Sequence, residues 1–98
     1  MSDVIEGAVR ALNAKLDGAG LDGAAKFVIS GEGAVLIDES GASAADADTP
    51  ADCTLTADTE TFRDLLDGAL NPTAAFMTGK LRIEGSMGLA MKLGGLLA

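Results

Sequence analysis

Asn71-Pro-Thr-Ala-Ala-Phe-Met-Thr-Gly79-Lys-Leu-Arg-Ile-Glu-Gly85-Ser-Met-Gly-Leu-Ala-Met91-Lys-Leu-Gly-Gly-Leu-Leu97 holds three short elements, each with its start and stop signals in place. Asn71 is a helix N-cap, and Pro72 occupies the first helical position, where a missing N–H costs nothing. The helix carries Phe76 and Met77 to Gly79, whose left-handed conformation ends it. Lys80 to Glu84 then alternates charge with aliphatic side chain, which predicts a strand with Leu81 and Ile83 facing in and Lys80, Arg82 and Glu84 facing out. Gly85-Ser86 starts a second helix, in which Met87, Leu89, Ala90, Met91, Leu93, Leu96 and Leu97 point in nearly every direction and Lys92 is the only charge. Such a helix has to be covered on more than one side, by a protein core, a partner chain or a lipid-like ligand.

Upstream, Ser2 caps an amphipathic helix whose apolar residues Ile5, Ala8, Val9, Leu12 and Leu16 fall at the helical period, and Gly18-Ala-Gly20 ends it. Gly7 inside it reads as tolerated. Ala25–Ser30 and Ala34–Asp38 form a β-hairpin about Gly31-Glu32-Gly33, and Ala42–Ala47, all small side chains, reads as a weak third strand suited to a sheet edge. Cys53, Leu55 and Ala57 alternate with Thr54 and Thr56, which makes a strand with one buried face. Asp58 caps the next helix, where Phe62, Leu65, Leu66 and Ala69 recur at helical spacing before Gly68-Ala-Leu.

The chain has 98 residues, a length for one domain over 1–98, with 48% hydrophobic residues, 22% charged and a net charge of −8. That charge disfavours nucleic acid, whose backbone would be repelled. The acids crowd Asp38–Asp67, whereas Lys80, Arg82 and Lys92 make the C-terminal third locally positive. Asp46, Asp48 and Asp52 surround a proline turn, but Ala51 and Ala57 stand where a calcium loop needs Gly and Glu, so no metal is expected. Cys53 is single, which fits a reducing, cytoplasmic setting, and no His is present to activate it, so it reads as a small hydrophobe. Without His, and with carboxylates confined to turns and solvated faces, an enzyme is the least supported class, and neither catalytic residues nor a cofactor is expected. Acidic Asp3 and Glu6 argue against a signal peptide, and no apolar run is long enough to span a bilayer.

Core-fillers are unusually soft: no Trp, no Tyr, three Phe and four Met. Met adapts to irregular space, so a small protein with a large apolar cavity would either collapse around it or keep it filled.

The run from Asn71-Pro72 through Gly79-Lys80-Leu81-Arg82-Ile83 to Gly85-Ser86-Met87-Gly88-Leu89-Ala90-Met91-Lys92-Leu93 resembles the C-terminal signature of the type 2 sterol carrier protein domain, and the order of elements upstream is similar too. The resemblance implies an α+β fold, a mixed, mostly antiparallel five-stranded sheet covered on one face by helices, with a hydrophobic tunnel between them for fatty acid, fatty acyl-CoA, phospholipid or sterol. It implies non-catalytic binding and intracellular transfer of such a ligand. Carried onto this sequence, Phe62, Leu66, Phe76, Met77, Ile83, Met87, Ala90 and Met91 would line the tunnel. The helix from Ser86 would close it, and Lys80, Arg82 and Lys92 would meet a head group. A partner enzyme of lipid metabolism, transient membrane contact and a monomer or weak dimer are compatible with this picture. The alternative is an accessory protein whose apolar last helix docks on a partner enzyme or a second copy.

Overall fold

The computed structural model describes residues 3–18 and 20–97, so the expected cap at Ser2 lies outside the described residues. The elements run α1 (Asp3–Leu16), β1 (Ala25–Ile29), β2 (Gly33–Asp38), β3 (Gly41–Ala45), β4 (Cys53–Ala57), α2 (Thr59–Asp67), α3 (Pro72–Met77), β5 (Arg82–Gly85) and α4 (Met87–Leu97). The strands form one mostly antiparallel sheet in the order β3-β2-β1-β4-β5, with β1 and β4 the parallel pair at its centre. This is the expected α+β class.

Register decides which side chains meet. Val35, Phe27, Leu55 and Ile83 make one row across β2, β1, β4 and β5, and Ile37, Ala25 and Cys53 make the next. These rows face the helices and hold the core, together with Ile5, Ala8, Leu12 and Leu16 of α1. Because side chains alternate along a strand, Lys26, Leu36, Thr54 and Glu84 share the opposite face. Lys26 is nevertheless buried there, donating to the Ala47 carbonyl, so the chain following β3 lies across that face.

The caps form where the sequence places them. Asp58 accepts the Thr61 N–H at 2.7 Å. Bonding from the Thr61 backbone and then its side chain, with Lys80 adding a smaller pull, holds the Asp58 carboxyl below the usual carboxylate range. Gly68, at φ 77°, ends α2. Edge strand β3 is covered: Asn13 of α1 donates its amide to the Ala42 carbonyl at 3.0 Å and accepts the Ala42 N–H at 2.9 Å. A side-chain amide thus stands in for the missing neighbouring strand and blunts the edge. Gly7 faces open space, which explains its tolerance. Among the described residues, no helix is long and apolar enough to cross a membrane.

Candidate functional site

A cavity of about 370 Å³ lies between the sheet and the last two helices. Its floor is the cross-sheet row Phe27, Leu55 and Ile83, with Leu65 of α2 beside it. One wall is α3 with its cap, contributing Asn71, Pro72, Thr73 and Phe76; the other is α4, contributing Met87, Ala90, Met91, Gly94 and Gly95, and Leu81 completes the lining. The mouth is apolar and wet: Met91 is 75% exposed, Met87 46% and Phe76 43%. The structure shows this open cavity, and no closed tunnel is seen among the described residues.

Each wall is fixed by local chemistry. Asn71 Oδ1 accepts the N–H of Thr73 at 2.8 Å and of Ala74 at 3.4 Å, which starts α3 despite its shortness. Gly79, at φ 79°, reverses the chain, and the N–H groups of Lys80 and Leu81 both donate to the Ala75 carbonyl. Those two bonds hold Lys80 and Leu81 in the turn, so the strand expected from Lys80 begins only at Arg82; Leu81 is still buried, as its apolar character requires.

The start of α4 is anchored. Ser86 Oγ accepts the Leu89 N–H at 3.3 Å, while the Ser86 N–H donates to the Asp52 carbonyl at 3.0 Å. Asp52 in turn exchanges backbone and carboxylate hydrogen bonds with Ala24. Gly85 makes the close approach feasible: at φ 90°, a Cβ there would stand 2.5 Å from the Asp52 carbonyl oxygen. Beyond this anchor α4 has two apolar faces. Leu89 and Leu93 enter the main core, while Met87, Ala90, Met91 and Gly94, at i, i+3, i+4 and i+7, border the cavity. The sequence asks for cover on more than one side; the structure supplies the core on one side of α4 and leaves the Met87 and Met91 side open at the cavity.

Of the residues nominated from sequence, the structure brings Phe76, Ile83, Met87, Ala90 and Met91 together in the lining. Phe62 is buried behind it, meeting Phe27 edge-on with ring centroids 4.6 Å apart, so it props the floor. Helix α2 turns Leu65 rather than Leu66 to the cavity, because its buried stripe runs through Thr61, Phe62 and Leu65. Met77 is 79% exposed on the last turn of α3. Lys80, Arg82 and Lys92 are exposed and outside the lining. Arg82 sits opposite Thr56 on the other face of the sheet, and Lys92 borders a separate hollow beside Asp22 and Asp52. The sequence reading missed Phe27 and Leu55, for which strand register was the needed signal, Leu65, which depends on the rotation of α2, and Asn71 and Thr73, which read only as helix start.

Cys53 is buried, and that burial pushes its thiol pKa up, away from a nucleophilic thiolate. Among the described residues, no group of three His, Cys, Asp or Glu side chains is placed to hold a metal.

The described geometry agrees with comparisons to known proteins. Residues 5–98 match the profile of the SCP-2 sterol transfer family. The chain belongs to that family. Sterol carrier protein 2 of Homo sapiens is 46% identical over 66 residues, covering 67% of this chain and 11% of that protein. The chain thus spans about a tenth of the length of this curated relative. Among solved structures, the sterol carrier protein domain 2 of Helicoverpa armigera superposes with a TM-score of 0.71 at 30% identity, covering 94% of this chain and 83% of that one. The sterol carrier protein 2 of Aedes aegypti in complex with palmitate gives a TM-score of 0.71 at 18% identity, covering 100% and 97%, a likeness of fold. In this chain, residues from Asn71 to Gly95 build two walls of the cavity and its mouth.

Proposed function

We propose that this chain binds a hydrophobic lipid-like ligand in the cavity between α3, α4 and the sheet, and carries or presents it without chemical change. The observation that supports this most is the lining: predominantly apolar, adaptable at Met87 and Met91, and open at an apolar rim. A ligand placed there removes apolar surface from water at about 25 cal/mol per Å², which supplies affinity without any catalytic group. Family membership and the palmitate held by the Aedes aegypti relative support the same reading.

In this reading α4 closes the site, hinging at its Ser86–Asp52 anchor while the weaker Gly94-Gly95 end moves, and a deeper tunnel forms only around the ligand. Phe62 and Leu66 act from behind the lining and Met77 from the rim. The ligand is taken up and released inside the cell, with partner enzymes or membranes as donors and acceptors. The docking alternative is less favoured, because Leu89, Ala90 and Leu93 are already buried in the chain's own fold.

The test is organic extraction of the purified protein followed by mass spectrometry, together with displacement of an uncharged fluorescent acyl probe. Co-purifying lipid and saturable displacement are expected. Absence of both sinks the proposal.

A further inference from the structure

The oxidisable side chains of this protein are unevenly placed. It has no Trp, Tyr or His, so its reactivity toward oxidants rests on sulfur, in one Cys and four Met. Cys53 is buried, and the same burial that raises its thiol pKa withholds the reactive thiolate. The described methionines are the reverse. Met77, Met87 and Met91 are all exposed, and with Phe76 they make up the exposed large hydrophobic side chains among the described residues. Two of the three belong to the site. Met87 and Met91 stand at i and i+4 on α4 and border the cavity, whereas Met77, at the end of α3, lies outside its lining.

A thioether reacts with hydrogen peroxide by direct oxygen transfer. The sulfur attacks one peroxide oxygen, the O–O bond breaks, the sulfur is oxidised by two electrons to the sulfoxide, and the other oxygen leaves as water. An apolar, flexible side chain becomes a polar one with a strong acceptor oxygen. At Met87 and Met91 that oxygen is solvated while the cavity is empty, because both side chains reach water. Ligand entry strips water from it and offers little in return: of the lining side chains only Asn71 and Thr73 can donate a hydrogen bond, and both belong to the opposite wall. Oxidation therefore penalises the filled state and spares the empty one. The fold is not drawn in, since α4 is held from its core side by Leu89 and Leu93.

We infer that Met87 and Met91 form a modification site for hydrogen peroxide, at which conversion to the sulfoxide turns the cavity from one that holds an apolar ligand into one that releases it. The inference rests on the proposed lipid-binding reading. Coupling runs both ways: a sulfoxide disfavours the ligand, and a bound ligand covers the two sulfurs and slows their oxidation. Reversal takes a dithiol, which removes the oxygen as water and is itself oxidised to a disulfide, with one methionine sulfoxide reductase for each sulfoxide epimer. Met77 shares the chemistry and the exposure but not the lining, so it is a control within the same chain.

The experiment treats lipid-free protein with hydrogen peroxide, locates the added oxygen by peptide mass spectrometry, and titrates the uncharged fluorescent acyl probe before and after. Oxygen is expected on Met77, Met87 and Met91, with the probe Kd weakened at least about fivefold, the low end of the cost of burying an unpaired polar group. Circular dichroism should be unchanged, and the two reductases together should restore the Kd. Probe present at about ten times its Kd should slow oxidation of Met87 and Met91 at least about threefold and leave Met77 unaffected, because most sites are then filled. These readouts use the parent chain alone. Each variant is then compared with itself, treated against untreated: the double variant Met87→Leu, Met91→Leu should lose no affinity on treatment, and Met77→Leu should lose as much as the parent. Four results would each overturn the inference while leaving the lipid-binding reading intact: an oxidised parent that keeps its affinity, an equal loss in the double variant, loss of helicity on oxidation, or no protection by the probe. Resistance of Met87 and Met91 to peroxide that oxidises Met77, or failure of the reductases to restore binding, overturns it as well. A probe that does not bind the untreated parent overturns that reading and this inference with it.

Discussion

Helices α1 and α4 cover the same side of one sheet under opposite rules. Helix α1 buries Ile5, Ala8, Leu12 and Leu16 in a single stripe and fastens itself to the edge strand through Asn13. Helix α4 divides its apolar residues between the core and the cavity, leaves Met87 and Met91 largely exposed, and carries Gly88, Gly94 and Gly95. One end of the domain is built to stay put. The other holds an apolar surface open to water, a local sacrifice of stability that ligand burial would offset.

The strongest test of this contrast is a matched pair of truncations. Leu12 is fully buried, so Leu12→Ala should cost about 2–5 kcal/mol in urea denaturation, the usual range for removing a core leucine. Met91→Ala removes a side chain that is 75% exposed and should change stability by no more than about 0.5 kcal/mol. It should instead weaken the uncharged acyl probe, because Met91 borders the cavity. Equal destabilisation by the two substitutions would mean that α4 is as tightly packed as α1, and the contrast would fail.

The sequence made much of this visible because the decisive signals were local. The caps at Asp58 and Asn71, the alternation through Cys53, Leu55 and Ala57, and the two-sided greasiness of α4 each depend on a few neighbouring residues. What escaped is non-local. That Phe27 and Leu55 make the cavity floor follows from the parallel pairing of β1 with β4, which no window of sequence contains. The choice of Leu65 over Leu66 depends on the rotation of α2 about its axis, and a short helix with two adjacent leucines leaves that open. The burial of Lys26 is non-local too, since the chain after β3 covers it. Basic residues next to a lipid-site signature suggest head-group contacts, but strand alternation sends Arg82 to the far face and α4 turns Lys92 toward Asp52.

A smaller effect isolates what fastens α1. Asn13→Ala removes both hydrogen bonds to Ala42 and should cost about 1–3 kcal/mol, since two backbone groups lose their partner at the sheet edge. It also uncovers a pairing edge, so sedimentation should show concentration-dependent self-association that the parent lacks at the same concentration. Asn13→Asp, which keeps an acceptor for the Ala42 N–H and loses the donor to its carbonyl, should fall between the two. An unchanged midpoint in Asn13→Ala would show that apolar packing alone seats this helix.

The smallest effects come from glycine, and they separate the two helices on nearly the same chemistry. A Cβ at Gly7 or at Gly95 would meet nothing within 4 Å, so alanine fits at either position and should gain from its higher helix propensity. Gly7 lies inside α1, and Gly7→Ala should raise global stability by roughly 0.5–1 kcal/mol. Gly95 lies in the last turn of α4, where fraying already dilutes the value of each helical residue, so Gly95→Ala should gain less than about 0.5 kcal/mol. Its larger consequence should be local. Amide exchange near the C-terminal end of α4 should slow while α1 is unaffected, and dissociation of the acyl probe should slow with it, because the stiffened end borders the cavity. If exchange in α4 slows and probe dissociation does not, the ligand leaves by another route, and the softness of this helix serves something other than release.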